Sequence, residues 1–317
     1  MTHHVAIIGA GLAGASSARA LSRAGVRVTV FEKSGGTGGR LSTRRTDHGS
    51  FDHGAQYLTA RSAGFAETLA ELAAAGAAAQ WRPAGKDRDT VWHVGKPGMS
   101  GLVKPILHGI EVRPRCRILA IQVERDAVRL IGEDGPVGAF DRVIVSAPAP
   151  QALDLVGELD PGFGGISEAV MAPCWAAMFA YRKRIGALPD MVRGDDSSPL
   201  GWVARNGSKP GRDGAETVIV HAGAGWSADH LEEEPDAIRD LLTTAMAARF
   251  GDDAGDPEFG VAHRWRYARV DRAAGLPFFS GCDGRVLACG DWCLGGRAEA
   301  AFDSGQAAAQ RLIEELA

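Results

Sequence analysis

The chain has 317 residues, of which 45% are hydrophobic and 23% are charged, and its formal net charge at pH 7 is −4. This length can bury the core of one large domain or of two interleaved domains, and the slightly negative charge excludes a general attraction for nucleic acid or anionic membranes. No apolar run reaches the roughly 20 residues of a membrane-spanning helix. We therefore expect a soluble, cytoplasmic protein without nucleic-acid or membrane partners.

The first motif is a glycine-spaced turn between an apolar strand and a helix. Gly9 permits the sharp bend, Gly11 lets backbone approach a pyrophosphate, and Gly14 lets the helix pack close to the sheet. The positive end of the helix dipole favours phosphate here. A second strand ends in Glu32, which is placed to accept hydrogen bonds from ribose hydroxyls and would repel a 2′-phosphate. The segment predicts a dinucleotide site made by Gly9, Ala10, Gly11, Leu12, Ala13, Gly14, Glu32 and Lys33.

A secretory signal is the alternative for this segment, because residues 5–24 are apolar and rich in small side chains. Three glycines interrupt the apolar run, no basic segment precedes it, and Arg19 and Arg23 follow. These details are not those of a signal peptide, so the dinucleotide site is favoured.

A second glycine-rich loop, residues 34–44, follows the second strand. NAD dehydrogenases usually continue here with an ordinary crossover helix, so a loop at this point indicates a longer ligand. Gly38 and Gly39 would bring backbone amides to a pyrophosphate, and Arg40 would neutralise a phosphate charge. A flexible linker is the alternative. The predicted contacts in this loop are Gly38, Gly39, Arg40, Leu41, Ser42 and Thr43.

The middle of the chain changes character near residue 156. Before it, the pattern predicts a helix at 62–75, a hairpin-like pair at 117–123 and 127–131, and a buried strand at 141–148. After it, strands at 175–181, 200–204, 217–222 and 261–267 and one helix starting at Pro235 predict a mainly antiparallel sheet that roofs the first layer.

Residues 221–228 mimic a second glycine turn after a strand, which would imply a separate NAD-binding module. Trp226 occupies the crowded turn, and the run ending in Pro235 interrupts any long helix facing phosphate. We therefore expect no second dinucleotide module.

The C-terminal part supplies the matching half of the first site. A strand at 286–291 ends at Asp291, which is placed to bind a ribityl hydroxyl. Free amides near Ala300 and Ala301 would face a flavin pyrimidine carbonyl and stabilise the negative charge of the reduced ring. A plain strand and helix would look similar alone, but together with residues 9–44 the pattern indicates FAD. The predicted contacts are Gly290, Asp291, Glu299, Ala300, Ala301 and Ser304.

The five cysteines are odd in number and irregularly spaced, which argues against a disulfide framework. Cys289 and Cys293 lack partner histidines, so no metal site is predicted. Neither lies in a recognisable attachment motif, so we expect the FAD to be noncovalent.

The glycine turn with Glu32, the Gly-Gly-Arg at 38–40 and the Gly-Asp at 290–291 resemble the flavin amine oxidase superfamily. The resemblance implies an α/β fold with a Rossmann-like FAD-binding domain, 1–60, 96–155 and 280–317, and a mainly antiparallel substrate domain, 61–95 and 156–279. It further implies that Ile118 contacts the adenine through its backbone. Ala147, in the strand predicted at 141–148 that returns to the cofactor sheet, is a further predicted cofactor contact.

Residues 51–59, 221–227 and 263–268 are similar to segments of renalases, especially the short bacterial ones. Renalases carry noncovalent FAD and oxidise the 2-dihydro and 6-dihydro isomers of NAD(P)H, passing electrons to oxygen to give hydrogen peroxide. The resemblance therefore implies repair of misreduced nicotinamides, with dihydronicotinamide dinucleotides and oxygen as partners.

The same residues have a physical interpretation. On a strand, His263, Trp265 and Tyr267 share one face, which could stack a nicotinamide against the flavin, while Arg264 and Arg266 on the other face could hold its phosphates. A core-facing aromatic row is the alternative. The turn at Gly54, Ala55 and Gln56 should pass close to flavin N5, and the candidate catalytic residues are Tyr57, Trp202, His221, His263 and Trp265.

The sequence shows no paired carboxylates or nucleophile triad, and hydride transfer to flavin requires neither. Two rivals remain: an amine oxidase or desaturase of the same superfamily, and a FAD-binding protein without turnover. Amine oxidases generally place a lysine-bound water near N5, and the roof offers only Lys183 and Lys209 in poorly matching contexts.

Overall fold

The computed structural model describes residues 3–84, 90–212, 214 and 216–317. The strands are β1 (His4–Ile8), β2 (Arg27–Glu32), β3 (Arg44–Thr46), β4 (Gly49–Phe51), β5 (Ala78–Trp81), β6 (Trp92–Gly95), β7 (Glu111–Pro114), β8 (Ile118–Val123), β9 (Val128–Gly132), β10 (Gly135–Phe140), β11 (Arg142–Val145), β12 (Val170–Tyr181), β13 (Met191–Arg193), β14 (Trp202–Arg205), β15 (Glu216–His221), β16 (Phe259–Arg272), β17 (Phe279–Gly281) and β18 (Val286–Ala288). The α-helices are α1 (Leu12–Arg23), α2 (Ala63–Ala74), α3 (Val103–Ile106), α4 (Ala149–Val156), α5 (Ala224–Asp229), α6 (Pro235–Phe250), α7 (Asp291–Leu294) and α8 (Ala298–Leu316).

The first layer is a six-stranded sheet with the order β17-β18-β11-β1-β2-β7, parallel except between β17 and β18. Its central strand β1 is buried on both faces. Val5 and Ile7 pack with α1 and α8, whereas Ala6 and Ile8 pack toward the separate sheet of β8, β9 and β10. Apolar side chains on both faces are what a parallel sheet between two layers requires.

The helices α1 and α8 touch along their backbones. Ser16 Oγ donates to the carbonyl of Phe302, and Ser17 Oγ donates to the carbonyl of Gly305, both at 2.8 Å. A side chain at position 305 would collide with the carbonyl of Ala13. The beginning and the end of the chain are therefore packed together beside β1.

The second layer is an antiparallel sheet with the order β13-β14-β15-β12-β16. The helix α6 covers one face, where Ile238, Leu242 and Met246 share a buried cluster with Phe179 and Val218. The opposite face is turned toward the first layer. This sheet is the roof anticipated from the sequence, and the predicted fold class is confirmed.

Two details differ from the sequence predictions. The strand expected at 286–291 ends at Ala288, and Asp291 instead begins α7. The strand expected at 261–267 is β16, which runs longer and has an irregular register beyond Trp265, so strict alternation of its faces ends there. The segment at 221–228, whose glycine spacing mimics a second dinucleotide turn, joins the antiparallel strand β15 to α5, a helix of six residues. This is not a dinucleotide-binding geometry, in agreement with the sequence.

None of the helices in the described ranges is long and apolar enough to cross a membrane.

Candidate active site

A cavity of about 1060 Å³ lies between the two layers and is lined by residues from both ends of the chain. The residues predicted from the sequence that line it are Gly9, Gly11, Leu12, Ala13, Glu32, Lys33, Gly38, Gly39, Arg40, Leu41, Gly54, Ala55, Ile118, Ala147, Trp202, His221, His263, Arg264, Trp265, Arg266, Tyr267, Gly290, Asp291 and Ala301. The structure thus brings together residues that the sequence separates by almost 300 positions.

Nine predicted residues lie outside the lining: Ala10, Gly14, Ser42, Thr43, Gln56, Tyr57, Glu299, Ala300 and Ser304. Several of them position the lining instead. Ser304 Oγ accepts from the amide of Gly290 at 3.0 Å, and Ser42 Oγ lies 3.3 Å from His53 Nε2. The carboxylate of Glu299 accepts from the amides of Arg61 and Ser62, so its side chain is already engaged within the protein.

The glycine turn has the packing that the motif predicts. Gly9 adopts a φ of 105°, in the region that favours glycine, and its amide donates to the carbonyl of Phe31 at 2.8 Å. A side chain at Gly14 would collide with the carbonyl of Gly9, whereas Gly11 faces open space. Helix α1 therefore approaches the sheet closely and presents bare backbone to the cavity.

Glu32 is 7% exposed and its carboxylate is already oriented. One oxygen accepts from the amide of Ala10 at 2.9 Å, and the other accepts from the amide and the hydroxyl of Ser34 at 2.8 and 2.7 Å. Each carboxylate oxygen offers about two acceptor positions, so Oε2 retains one for a ribose hydroxyl.

Arg40 and Asp291 form a bidentate ion pair, with both N–O distances 2.7 Å. Arg40 belongs to a short 3-10 helix, Gly39–Leu41, and Asp291 begins α7. Paired guanidinium and carboxylate groups offer fixed donors and acceptors at one point of the cavity wall. The sequence predicted the two residues as separate ligand contacts, but not their pairing.

A row of directly paired residues crosses the roof sheet. In the register of the five strands, Arg193 is opposite Trp202, Trp202 opposite His221, His221 opposite Ala176, and Ala176 opposite His263. Paired residues share a face, and all of them except the fully buried Ala176 line the cavity. We call these five residues the roof row.

Arg193 was missed by the sequence analysis because β13 has only three residues and nothing but its register places it in the roof row. Its guanidinium lies 5.3 Å from the Trp202 ring and donates to the Tyr57 hydroxyl at 3.0 Å. Tyr57 in turn stacks on Trp92 at 3.8 Å. Arg264 and Arg266, predicted as phosphate contacts, also line the cavity, and both form ion pairs with Glu232.

His53 was also missed, although it directly precedes the predicted turn at Gly54, Ala55 and Gln56. Its ring stacks on Trp265 at 5.3 Å and meets His263 edge-on at 5.1 Å. Burial, with His263 and Arg44 nearby, lowers the pKa of His53 to about 4. Burial likewise lowers the pKa of His221 to about 4 and also lowers the pKa of His263. All three imidazoles are therefore neutral at pH 7.

The backbone carbonyl of His53 joins the predicted turn to the roof. It accepts from Trp265 Nε1 at 3.0 Å and lies 3.1 Å from His221 Nε2. Two side chains on different roof strands thus reach the same oxygen. This arrangement fixes the height of the roof above residues 53–55.

Behind the turn lies a buried ionic cluster of Asp52, Lys209 and Arg212, whose side chains are 0%, 0% and 3% exposed. Asp52 Oδ2 lies 3.3 Å from Lys209 Nζ and 2.5 Å from Arg212 Nη2. Lys209 also donates to Gln56 Oε1 at 3.0 Å. The two cations outweigh the effect of burial and lower the pKa of Asp52 to about 2. Lys209 does not line the cavity.

The cavity fits FAD. Its volume exceeds the roughly 300–1,000 Å³ of a site for a drug-sized ligand. The first turn of α8 borders it through Ala298 and Ala301, so free helix amides are available to an acceptor.

Comparisons with known proteins agree with this site. A family model for flavin containing amine oxidoreductases matches residues 62–313, and one for an NAD(P)-binding Rossmann-like domain matches residues 7–72. Renalase of Mus musculus is 24% identical over 295 residues, which cover 84% of this chain and 85% of that protein. A phytoene desaturase of Fusarium fujikuroi is 46% identical over 54 residues, 17% of this chain and 10% of that protein.

Among solved structures, cyclohexylamine oxidase from Brevibacterium oxydans IH-35A has the same fold, with a TM-score of 0.76 at 16% identity and full coverage of both chains. The family match spans most of the chain and includes the roof. The chain belongs to the flavin containing amine oxidoreductase family and is an FAD-dependent oxidoreductase.

Proposed function

We propose that this protein is a renalase-like oxidase that converts the 2-dihydro and 6-dihydro isomers of NAD(P)H to NAD(P)+. In the overall reaction the dihydropyridine gives up a hydride, and oxygen takes two electrons and two protons to become hydrogen peroxide. Similarity to mouse renalase across most of both chains supports the proposal. The observation that carries it is the roof row, whose rings and neutral imidazoles face the cavity.

Bound FAD would supply the hydride acceptor and the oxygen-reactive reduced ring. We propose that the predicted cofactor contacts that line the cavity hold FAD directly. The predicted contacts outside the lining would act indirectly, by positioning residues of the lining. Trp202, His221, His263 and Trp265 are proposed to hold the dihydropyridine flat against the cofactor. Tyr57 is proposed to act from behind Trp202 by holding Arg193.

The neutral imidazoles suit this reaction. Hydride transfer from a dihydropyridine moves no proton through a side chain, so positioning at near-contact distance supplies most of the catalysis. Neutral aromatic surfaces also accommodate the positive charge that develops on the pyridine ring, because the face of an aromatic ring is electron-rich. The roof row therefore supports oxidation of a dihydropyridine without a catalytic acid or base.

We propose two domains, each made of separate segments of the chain. Residues 1–60, 96–155 and 280–317 would form the FAD-binding domain, and residues 61–95 and 156–279 the substrate domain. Residues 1–2, 85–89, 213 and 215 of these ranges lie outside the described residues.

Oxidation of an amine is the second candidate, because the fold is shared with an enzyme named cyclohexylamine oxidase. The lysine of the roof region that such chemistry would use is best matched by Lys209, whose ammonium is completely buried and bound to Asp52 and Gln56. Lys183 is exposed outside the cavity. Both placements favour the dihydropyridine substrate.

Anaerobic stopped-flow reduction of the FAD-loaded protein tests the proposal. The 2-dihydro and 6-dihydro isomers should bleach the flavin rapidly, and ordinary NADH should do so slowly. Bleaching by cyclohexylamine or other amines alone would overturn the proposal in favour of the second candidate. Absence of bleaching and of peroxide production with the whole panel would indicate a FAD-binding protein without turnover.

A further inference from the structure

The orientation of the Gln56 side chain is fixed by Lys209. An ammonium group can only donate, so the Gln56 atom 3.0 Å from Lys209 Nζ is the carbonyl oxygen Oε1. The amide nitrogen Nε2 then points to the backbone, where it donates to the carbonyls of Asp52 and Gly54 at 2.5 and 2.9 Å. Both of its hydrogens are used.

This orientation determines the tautomer of His221. Nε2 of His221 lies 3.5 Å from the Gln56 amide nitrogen, which has no hydrogen left to donate, and 3.1 Å from the carbonyl oxygen of His53, which can only accept. The proton of the neutral imidazole must therefore be on Nε2. Burial lowers the pKa of His221 to about 4, so the ring carries no second proton at pH 7. The lone pair is consequently on Nδ1.

The Nδ1 atom is free to meet a ligand. No described residue forms a hydrogen bond with it, and it is not among the buried polar atoms that lack a partner. His221 lines the cavity in the middle of the roof row, between Trp202 and Ala176. The roof therefore presents a single neutral hydrogen-bond acceptor at this point, set by residues behind the cavity wall.

We propose that Nδ1 of His221 accepts a hydrogen bond from the N–H of the substrate's primary carboxamide. The inference deepens the proposed function and rests on it. It makes His221 a substrate-binding residue and not a general base. It also predicts selectivity for the ring substituent, because an acetyl group has no N–H to donate and a carboxylate would set its own lone pairs against that of Nδ1.

The test combines a substitution in the protein with a change of the ring substituent in the substrate, as in a double-mutant cycle. Dissociation constants are measured from saturation of anaerobic flavin bleaching, using the 6-dihydro isomers of NAD and of its 3-acetylpyridine analogue. Dissociation constants are compared in place of bleaching rates because the acetyl group also changes the hydride-donating power of the ring. Wild type should bind the carboxamide about tenfold more tightly, as expected for one neutral hydrogen bond. His221→Phe should lose that preference.

His263→Phe is the matched control, since it removes an imidazole from the same row on the other side of Ala176. It should keep the tenfold preference. If wild type and His221→Phe preferred the carboxamide over the acetyl analogue equally, and both dihydro isomers bleached the flavin normally, this inference would be overturned and the proposed function would stand. Failure of every dihydropyridine to bleach wild type would overturn both.

A second measurement needs no variant and so does not depend on the folding of His221→Phe. The oxidised products NAD+, its 3-acetylpyridine analogue and its carboxylate analogue are titrated into wild-type holoprotein and followed by the flavin spectrum. Tightest binding of the carboxamide and weakest binding of the carboxylate are expected. Binding of the acetyl analogue as tight as that of NAD+ would contradict the proposed hydrogen bond.

Discussion

Replacing Asp52 with Asn should destabilise the protein strongly, because it leaves two buried cations without their counterion. The Asp52 carboxylate accepts from Thr43 Oγ1 at 2.7 Å and the Met99 amide at 2.9 Å, besides its contacts with Lys209 and Arg212. Breaking a buried ion pair by removing one partner costs about 3–5 kcal/mol. With about 2 °C of Tm per kcal/mol for a chain of this size, the expected fall in Tm is about 6–10 °C.

The assay is thermal unfolding of FAD-loaded protein at pH 7.5, followed by circular dichroism at one scan rate. Asp271→Asn is the matched control, because Asp271 accepts from Arg269 at 3.0 Å but both side chains are nearly half exposed. Its cost should stay below about 1 kcal/mol. The double variant Asp52→Asn with Lys209→Met should recover part of the loss, since it removes one of the two unpaired cations.

The reasoning about Asp52 would be refuted if Asp52→Asn lowered Tm no more than Asp271→Asn does. It would also be refuted if adding Lys209→Met to Asp52→Asn lowered Tm by as much as Lys209→Met alone lowers the Tm of the wild type. In the first case the charge of Asp52 would not stabilise the ammonium of Lys209 and the guanidinium of Arg212. In the second case the lysine would contribute through packing, for example over the ring of Trp81 at 5.5 Å.

Three further outcomes are expected. Gly14→Ala should abolish FAD binding, seen as loss of the visible flavin absorbance, because its methyl group would strike the Gly9 carbonyl. Gly164→Ala, where space is open, should retain the flavin. Lowering the pH from 7.5 to 5 should lower Tm less in His53→Leu than in wild type. The folded-state pKa of His53, about 4, lies below the ordinary 6.5, so between these pH values the unfolded chain binds more protons than the folded protein. Wild-type stability therefore decreases as the pH is lowered. Acid precipitation should release yellow flavin into the supernatant, since both C-terminal cysteines lie outside the cavity lining and burial raises the pKa of their thiols; a yellow pellet would indicate covalent attachment.

The glycine-turn end of the cavity was predictable because its requirements are local. A strand, three spaced glycines and an acid at the end of the next strand each follow from backbone geometry within a few residues. The structure places Gly9, Gly11 and Glu32 together as that geometry requires. The fold class followed from the same local patterns, because alternating and helical periodicities persisted over whole elements.

The roof of the cavity was less predictable because it depends on register between strands far apart in sequence. Arg193 enters the roof row only through the pairing of a three-residue strand. His53 was inside a noted segment, but its importance lies in a carbonyl that two distant side chains approach. The sequence offers Lys209 as a lysine of the roof region in a context that matches amine oxidases poorly, and no local pattern reveals that Asp52 holds it in the core.

The packing of α1 against α8 constrains the order in which the protein can be completed. Ser16 and Ser17 bond to carbonyls of α8, and Gly305 lies against Ala13, so the wall beside the first glycine turn is unfinished until α8 is present. During synthesis, a ribosome-bound chain that has already made its whole N-terminal half still has no closed pocket. We therefore expect a chain shortened before Ala298 to lack a closed flavin cavity, however well its glycine turn is formed.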